Sequence, residues 1–319
     1  MSFDLSQCFD KNNRLQVLLL HKKSRLSHYQ EESQALRIAE LLHQNDRSTQ
    51  LLEIAHQTHH ECLNHVHQHL TDLGASVFVQ PRSKTAHLGD GFPLIITIGG
   101  DGTVLEASHI ARGNPIFAVN SDPERSVGAL CVATQKNFKA LFSKLLDGNL
   151  SIQPVARIGL KINDQPLPQY ALNEILVSHK NPAATSRYFL QVRDQHEEQL
   201  SSGVWISGPA GSTGALNSAG GHITSLTDTK LQYAVREPCF FWTTRPSLLG
   251  GSFLPEESFE IISQMPGGRI YFDGQFKGWN FPIGDRMSIF NAPPTWLAIN
   301  ADLEKRRVKL SQIKKQGDK

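Results

Sequence analysis

The sequence predicts an α/β fold joined to a β-rich fold: an N-terminal doubly wound parallel α/β domain over residues 1–150, then a sandwich-like β-rich domain over residues 151–300. In the first half, short apolar runs alternate with segments of helical periodicity, a pattern typical of a parallel sheet covered by helices. In the second half, short alternating segments are broken by Asn, Gly and Pro, which indicates antiparallel strands. This change of texture places the boundary between Gly148 and Val155.

The elements of the first domain follow from its apolar pattern. Strands are predicted over residues 15–20, 77–79, 94–98 and 116–119, of which 15–20 and 94–98 are expected to be buried. Helical spacing predicts two helices with core faces at Ala35, Ile38, Ala39 and Leu42, and at Leu51, Ala55, Cys62, Val66 and Leu70. The longer of these helices covers residues 48–73, and a further helix covers residues 137–146.

Short strands dominate the second domain. They are predicted over residues 158–162, 172–177, 188–192, 204–206, 259–262, 269–272 and 287–290. The charged tail over residues 300–319 either rejoins the first domain or ends without order, and the sequence leaves both open.

The composition restricts the compartment and the class of partner. A formal net charge of +2, from 32 basic and 30 acidic residues, argues against a role in coating nucleic acid or a membrane surface. The four cysteines are scattered without metal-ligand or redox spacing, which indicates a reducing compartment. The N-terminus lacks signal-peptide and transit-peptide character and no apolar run could span a bilayer, so we expect a cytoplasmic protein.

The most informative motif is PLIITIGGDGT, over residues 93–103, in which a buried strand leads into a turn that carries the carboxylate of Asp101. The turn is rich in glycine, at Gly99, Gly100 and Gly102. Glycines let the backbone turn tightly and approach a ligand closely. Thr103 and Glu106 form the pattern of a capping box for the helix that follows.

This turn suggests phosphoryl transfer to an alcohol. A phosphate there would meet free backbone N–H groups and the positive end of the helix dipole. Asp101 would face the neighbouring hydroxyl and accept its proton, as aspartates do in kinases. The alternative is an ordinary strand-to-helix connection, in which Asp-Gly is only a turn pair.

Three further segments carry candidate binding residues, each with a structural alternative. SGPAGSTGALNSAGG, over residues 207–221, is too poor in apolar side chains for a core, so it forms either a ligand loop or a flexible surface loop. Asn173 and Glu174 interrupt a strand predicted over residues 170–179, and they either meet a ribose or base edge or lie at a strand edge. Asp273, in YFDGQ, presents a carboxylate to a ligand or belongs to a hairpin turn.

Two weaker features concern histidine and arginine. Three histidines share a face of the second helix: His56, His60 and His67. A solvated polar face is favoured over a metal site, because no acidic or cysteine ligand accompanies them. Arg125 either neutralises a phosphate or forms an ion pair with Asp122 or Glu124.

In this order along the chain, GGDGT, the Asn-Glu pair, GST…SAGG and the late DGQ resemble the NAD kinases. Members of that family phosphorylate the adenosine ribose 2′-hydroxyl of NAD with ATP or a related phosphate donor and a divalent cation. The resemblance extends to residues 117–131, whose NSDPERS string is similar to the mitochondrial-type branch. It implies NAD and ATP as substrates, Mg²⁺ as the cation with ATP, and a homo-oligomer, dimer or tetramer, formed through the β domain.

The resemblance also implies roles for individual residues. Asp101 is similar to the catalytic aspartate, and the phosphates lie at Gly99, Gly100, Gly102 and Thr103. The dinucleotide is held by Asn173, Glu174, Ser212, Thr213, Ser218 and Asp273, and no side chain is expected to bind a metal directly. Ala215 and Ser202 replace a tyrosine and an aspartate of most members, which predicts loose recognition of the nicotinamide half.

Two rival functions remain open. Diacylglycerol and sphingosine kinases share GGDGT and a β-rich second domain, but the Asn-Glu pair and GST…SAGG favour a dinucleotide substrate. A dinucleotide-binding sensor without turnover is the other rival, and the presence of Asp101 argues against it.

Overall fold

A computed structural model describes residues 5–31, 35–44, 46–82, 92–240, 245–274 and 277–317 of the chain. Its contacts divide the chain into two units. The first comprises Met1–Gln153 and Trp296–Leu303, and the second comprises Pro154–Thr295 and Glu304–Lys319. None of the helices in the described ranges is both long enough and apolar enough to cross a membrane.

The first unit holds a parallel sheet whose strand order reverses between its first and third strands. Its elements in chain order are β1 (Gln16–His21), α1 (Arg25–Glu31), α2 (Ala35–His43), α3 (Arg47–Asp72), β2 (Ser76–Pro81), β3 (Leu94–Gly99), α4 (Asp101–Ile110), β4 (Ile116–Asn120), β5 (Ala133–Thr134) and α5 (Phe138–Leu146). The strands lie in the order β2, β1, β3, β4, and each neighbouring pair is parallel. The predicted doubly wound sheet is therefore confirmed, with its switch point between β1 and β3.

The core of this unit forms because its central strands are apolar on both faces. Every residue of β3 and β4 is buried. A cluster of three aromatic rings packs beside them: Phe138 stacks on Phe142 at 5.3 Å, and Phe117 meets both edge-on.

Three details of the predicted helices are wrong, and the first is that Ala39 of α2, predicted on a core face, is exposed. The helix α4 begins at Asp101 rather than after a cap at Thr103, because the extended backbone of Gly100 ends the turn and no side chain caps the helix. In α3 the buried face continues from Cys62 to His59, whereas Leu51 is 61% exposed. The apolar pattern thus located the helix but missed the polar residues Thr49 and His59, which are buried on it.

The second unit is built from antiparallel strands. Its elements in chain order are β6 (Ser151–Ile162), β7 (Gln165–Ala171), β8 (Glu174–His179), β9 (Ser186–Val192), β10 (Gln195–Ser201), β11 (Val204–Ser207), α6 (Ala215–Ser218), β12 (Leu231–Val235), β13 (Gly250–Phe253), β14 (Phe259–Ser263), β15 (Gly268–Phe272), β16 (Lys277–Asn280), β17 (Arg286–Ile299) and α7 (Ala301–Gly317). Six of the strands form one sheet in the order β13, β12, β11, β8, β15, β16. In a second sheet, β10, β9, β14 and β17 are neighbours in that order.

One hydrophobic core lies between these two sheets. Alternate residues of β8 and β11 in one sheet, and of β9 and β14 in the other, contribute buried side chains to it. The sandwich-like prediction is confirmed by this arrangement. The tail is a helix, α7, and its residues from Glu304 onward belong to the second unit.

A single strand over residues 170–179 is not formed. The chain bends at Leu172 and Asn173, so that β7 ends at Ala171 and β8 begins at Glu174. This bend places two candidate binding residues at the start of β8, and its cause is the carboxylate of Asp273, described below.

Candidate functional site

The GGDGT turn of the first unit lies at the carboxyl edge of the parallel sheet, at the switch point between β1 and β3. A methyl group built on Gly99 would lie 2.1 Å from Thr103 Oγ1, and one built on Gly100 would lie 2.6 Å from Ser126 Oγ. Neither position has room for a side chain. The turn is therefore fixed by its own packing, with the amino end of α4 at the edge where anions are favoured.

Asp101 connects this turn to the segment that follows β4. The backbone N–H of Ala129 donates to Asp101 Oδ2 at 3.0 Å, and that of Leu130 donates to Oδ1 at 2.8 Å. The same segment is folded on itself, because Asn120 Nδ2 donates to the carbonyl of Ser126 at 2.9 Å. The region that carries NSDPERS thus packs against GGDGT through the candidate catalytic carboxylate.

Cationic side chains gather at the same edge. Lys22 follows β1, and its N–H donates to the carbonyl of Ile98 at 3.0 Å. Burial lowers the pKa of the Lys22 ammonium, Asp122 raises it, and the positive charges of Arg82 and Arg25 lower it. Arg82 lies 3.8 Å from Glu106 of α4. Lys22, Arg25 and Arg82 lie near enough for their charges to act on one another. Such a group of positive charges favours a polyanion such as a chain of phosphates.

Arg125 forms the predicted ion pair. Its Nη1 lies 3.0 Å from Asp122 Oδ1, and the side chain of Asp122 is buried. The loop alternative considered for Arg125 is therefore confirmed.

A buried histidine lies beneath this edge. His59 is completely buried, its Nδ1 is 3.0 Å from Ser121 Oγ, and its ring stacks on His21 at 5.9 Å. Burial first, then the charge of Lys22, lower its pKa to about 3, so the ring is neutral. Ser121 in turn donates its N–H to the carbonyl of Gly99 at 2.9 Å. His59 is therefore linked to the GGDGT turn through Ser121.

The remaining histidines of α3 lie nearer the surface. The rings of His56 and His60 are 4.3 Å apart, His56 Nδ1 is 2.7 Å from Ser24 Oγ, and His67 is exposed. In the ranges that the structure describes, no group of three or more His, Cys, Asp or Glu side chains is arranged to hold a metal ion.

In the second unit, Asp273 organises the bend before β8. Its Oδ2 accepts the N–H of Leu172 at 3.1 Å, and its Oδ1 accepts those of Asn173 at 2.7 Å and Glu174 at 3.3 Å. Asp273 itself lies in the turn between β15 and β16 with φ of 46°. The hairpin alternative is confirmed, and the carboxylate expected at the ligand is directed to the backbone. Gln275 of this motif lies outside the described residues.

Glu174 is the most perturbed carboxyl of this group. Its side chain is buried, and its Oε2 has no hydrogen-bond partner in the described part of the chain. Burial first, then the charge of Asp273, raise the pKa of Glu174 to about 7. Arg157, which donates from Nε to the carbonyl of Pro293 at 2.6 Å, supplies positive charge near Asp273.

The GST turn packs directly on the Asn-Glu pair. A Cβ on Gly211 would lie 2.2 Å from the carbonyl oxygen of Asn173, and one on Gly214 would lie 3.3 Å from Glu174 Oε2. Asn173 Oδ1 is buried and, within the described residues, has no hydrogen-bond partner. Two unsatisfied acceptors therefore lie beside a backbone that can hold no side chain at Gly211.

The hydroxyl of Ser212, which was predicted to line the cleft, is bonded to its own loop and to α7. It is completely buried, donates to the carbonyl of Pro209 at 2.7 Å, and accepts the N–H of Thr224 at 3.1 Å and Nη2 of Arg307 at 3.0 Å. These bonds use the one donor and both acceptor sites of a serine hydroxyl. Ser212 is thus anchored inward.

The two other hydroxyls predicted in this loop are less enclosed. Thr213 is half-buried and donates to the carbonyl of Ala210 at 3.4 Å, and Ser218 is exposed at the end of α6. Neither Ser212 nor Thr213 caps α6, whose N-cap residue is Gly214.

The structure brings the candidates together in two groups, one in each unit. GGDGT gathers around Asp101, and Asn173, Glu174, Asp273 and Gly214 lie together in the second unit. Sequence reasoning missed five residues in these surroundings: Lys22, His59, Arg82, Arg157 and Arg307. Only Lys22 left a signal, because it follows a buried strand parallel to the one that precedes GGDGT.

We predict that Glu174→Gln changes how stability depends on pH. Between pH 4.5 and about 7 the folded protein keeps a proton on Glu174 that the unfolded chain has lost. The stabilisation from this proton is full below pH 4.5 and is lost as the pH rises through 7, a change of roughly 3 kcal/mol. Urea unfolding at several pH values should show the wild type losing this stability relative to the variant. Parallel profiles, like those expected for Glu198→Gln on exposed β10, would contradict the assignment.

Comparison with known proteins agrees with this geometry. The sequence profile of the ATP-NAD kinase N-terminal domain matches residues 18–150. A "Probable NADH kinase" of Oryza sativa subsp. japonica is 36% identical over 223 residues, covering 63% of this chain and 69% of the relative. The "NADH kinase" of Arabidopsis thaliana is 32% identical over 67% of this chain and 74% of its own length. These plant relatives are consistent with the branch inferred from NSDPERS.

Two solved structures share the fold. An NAD kinase from Archaeoglobus fulgidus in complex with ATP gives a TM-score of 0.64 at 20% identity, covering 93% of this chain and 98% of its own. The yeast NADH kinase complexed with NADH gives 0.63 at 16% identity, covering 93% of this chain and 86% of its own. The comparisons favour neither the lipid kinases nor a sensor without turnover. The plant relatives establish that this chain belongs to the NAD kinase family, a family of phosphotransferases.

Proposed function

We propose that the protein transfers the γ-phosphoryl group of ATP to the 2′-hydroxyl of the adenosine ribose of NAD or NADH. The observation that carries this proposal is the position of Asp101, at the amino end of α4 and at the switch point of a parallel sheet. Lys22, Arg25 and Arg82 add positive charge at the same edge. A carboxylate beside a phosphate site is what transfer to an alcohol requires.

In this proposal Asp101 orients the 2′-hydroxyl and accepts its proton as the oxygen attacks phosphorus. The bond between the γ-phosphorus and its bridging oxygen breaks, and ADP leaves. The amino end of α4 and the backbone at Gly99, Gly100, Gly102 and Thr103 hold the phosphates. The two amides that donate to Asp101 keep its carboxylate in one orientation throughout.

We propose Mg²⁺ as the accompanying cation. The described side chains form no cation cage, and the carboxylates of Asp101 and Asp122 at this edge already have protein partners. Such a donor set fits an ion that keeps several waters and takes most of its other ligands from phosphates. When bound, it would screen the charge of the phosphates during transfer.

The dinucleotide is proposed to bind at the Asn-Glu pair of the second unit. Asn173 Oδ1 and Glu174 Oε2 are buried acceptors without partners in the described chain, and buried acceptors need donors. Ribose hydroxyls and the adenine amino group are such donors. Asp273 holds both residues in place through their backbone, Thr213 lies on the adjoining turn, and Ser218 ends the helix α6 that follows it.

The nicotinamide half is proposed to be recognised loosely. Ala215 at the start of α6 offers no aromatic platform, and Ser202 carries no charge. The missing stacking contact and hydrogen bond correspond to about 1 to 2 kcal/mol. NAD and NADH should therefore both be accepted.

We also propose a cytoplasmic protein that assembles as a dimer or tetramer. In the described part of the chain no disulfide joins Cys8, Cys62, Cys131 or Cys239, which supports a reducing compartment. On the outer face of the six-stranded sheet, Trp205 and Tyr271 flank Leu176 in register and line a recess of about 330 Å³. A stripe of large apolar side chains across three strands is typical of an interface.

The role of Asp101 predicts that Asp101→Asn lowers turnover by about 10² to 10⁴ fold while NAD still binds. The amide cannot accept the proton, although it can hydrogen-bond the ribose. Coupled detection of NADP with an NADP-specific dehydrogenase measures turnover, and NAD lacking its 2′-hydroxyl should bind without reacting.

The matched control is Asn120→Ala, which loosens the same loop but keeps the carboxylate. It should lower turnover by less than about tenfold. A near wild-type rate for Asp101→Asn, or equal losses in both variants, would remove Asp101 from catalysis.

The dinucleotide site predicts that Asn173→Ala raises the KM for NAD by about tenfold or more and leaves the KM for ATP nearly unchanged. The melting temperature without ligand should change little, because Oδ1 has no partner in the described chain. A large loss of melting temperature with unaltered NAD affinity would show that Asn173 is structural.

The interface predicts that Trp205→Glu converts the oligomer to a monomer in analytical ultracentrifugation, since a charge would be buried at the contact. Phe240→Ser, which removes a 60% exposed apolar side chain elsewhere, should leave the oligomer intact. A monomeric wild type at all concentrations, or an oligomeric Trp205→Glu variant, would contradict the proposed face.

A further inference from the structure

The C-terminal helix carries a buried cation that the mechanism above does not use. Arg307 of α7 is completely buried, and its Nη2 donates to the carbonyl of Pro209 at 2.5 Å, to Ser212 Oγ at 3.0 Å and to the carbonyl of Thr224 at 3.1 Å. Desolvating a guanidinium is costly, and these acceptors come from separate points of one loop. Arg307 therefore joins both sides of the GST turn.

One turn earlier on α7, Glu304 holds the same loop at a further point. Its Oε1 accepts the N–H of Leu226 at 2.9 Å and the hydroxyl of Ser225 at 3.2 Å. Residues three apart lie on one face of a helix. Glu304 and Arg307 thus form one anchoring face, which binds residues 209–226 by three backbone groups and two hydroxyls.

On its other side, this loop packs tightly against Asn173. The carbonyl of Asn173 accepts the hydroxyl of Ser207 at 2.9 Å and the N–H of Gly208 at 3.1 Å, and Gly211 leaves no space for a Cβ against it. Gly214 packs less tightly, since a Cβ built on it would lie 3.3 Å from Glu174 Oε2. A shift of the GST turn by a few tenths of an ångström would therefore displace the two acceptors of the proposed dinucleotide site.

We propose that Arg307 is a positioning residue for dinucleotide binding. Through it, α7 holds the GST turn in the position that keeps Asn173 and Glu174 ready to bind the dinucleotide. This inference rests on the proposed function, because it assumes that Asn173 and Glu174 hold the dinucleotide. Arg307 acts through Ser212 and Pro209, without contact to the substrate. All three bonds come from Nη2. A lysine carries the same charge, but its ammonium ends one bond short of the position of Nη2, so it cannot reach the three acceptors together without moving the loop or the helix.

The test compares Arg307→Lys and Arg307→Met with Lys309→Met, a charge removal at an exposed position of the same helix. Arg307→Lys should raise both the KM and the calorimetric Kd for NAD by about tenfold, with kcat and the KM for ATP changed by less than about threefold. Arg307→Met should exceed this, and Lys309→Met should match the wild type. All assays run below the measured melting temperature of each variant.

The outcomes separate the inference from the proposed function. A wild type that neither binds NAD nor makes NADP overturns the proposed function and this inference with it. A wild type that does both, with Arg307→Lys indistinguishable from Lys309→Met, overturns only the positioning role. Equal rises in the KM for NAD and for ATP would also overturn it, because they indicate general loosening of the fold. Should Arg307→Met fail to fold, Arg307→Lys and Glu304→Gln still decide the question.

Discussion

The candidate dinucleotide site depends on one interaction, the acceptance of three consecutive backbone N–H groups by the carboxylate of Asp273. It breaks what would otherwise be a continuous strand and sets Asn173 and Glu174 at the start of β8. Burial first, then the charge of Asp273, raise the pKa of Glu174 to about 7, so the residue that fixes the site also affects the protonation of Glu174.

Asp101 uses the same physical device in the first unit. Its two oxygens accept the amides of Ala129 and Leu130 and so hold the NSDPERS segment against GGDGT. A ligand contact and a backbone clamp are compatible, because an ionised carboxylate offers about four acceptor positions. The clamp orients the carboxylate before the substrate arrives, which is the condition for efficient proton acceptance. Replacing Asp101 therefore affects loop stability as well as chemistry, which makes Asn120→Ala the informative comparison.

The sequence predicted those parts of the fold in which the polarity of each residue indicates whether it is buried. Strands β3 and β4 are largely apolar on both faces, a pattern typical of strands buried on both sides of a sheet. His59 and Arg307 escaped prediction because polar residues at helical spacing are usually exposed, and their burial is decided by partners far along the chain. The prediction for Leu51 was wrong in the opposite direction, because the residue is apolar but exposed. Helical spacing does not tell which apolar positions meet a neighbouring element.

The glycines of the two motifs carry less functional information than their pattern suggests. Gly99 is required by Thr103, Gly100 by Ser126 and Gly211 by the carbonyl of Asn173, all groups of the protein itself. A glycine-rich turn would thus be needed here even in a chain that bound no ligand. Better indicators of a ligand site are buried polar groups that the fold itself does not supply with hydrogen-bond partners. Glu174 and Asn173 keep buried acceptors without partners in the described chain, and such acceptors are tolerated where a ligand supplies the missing donors.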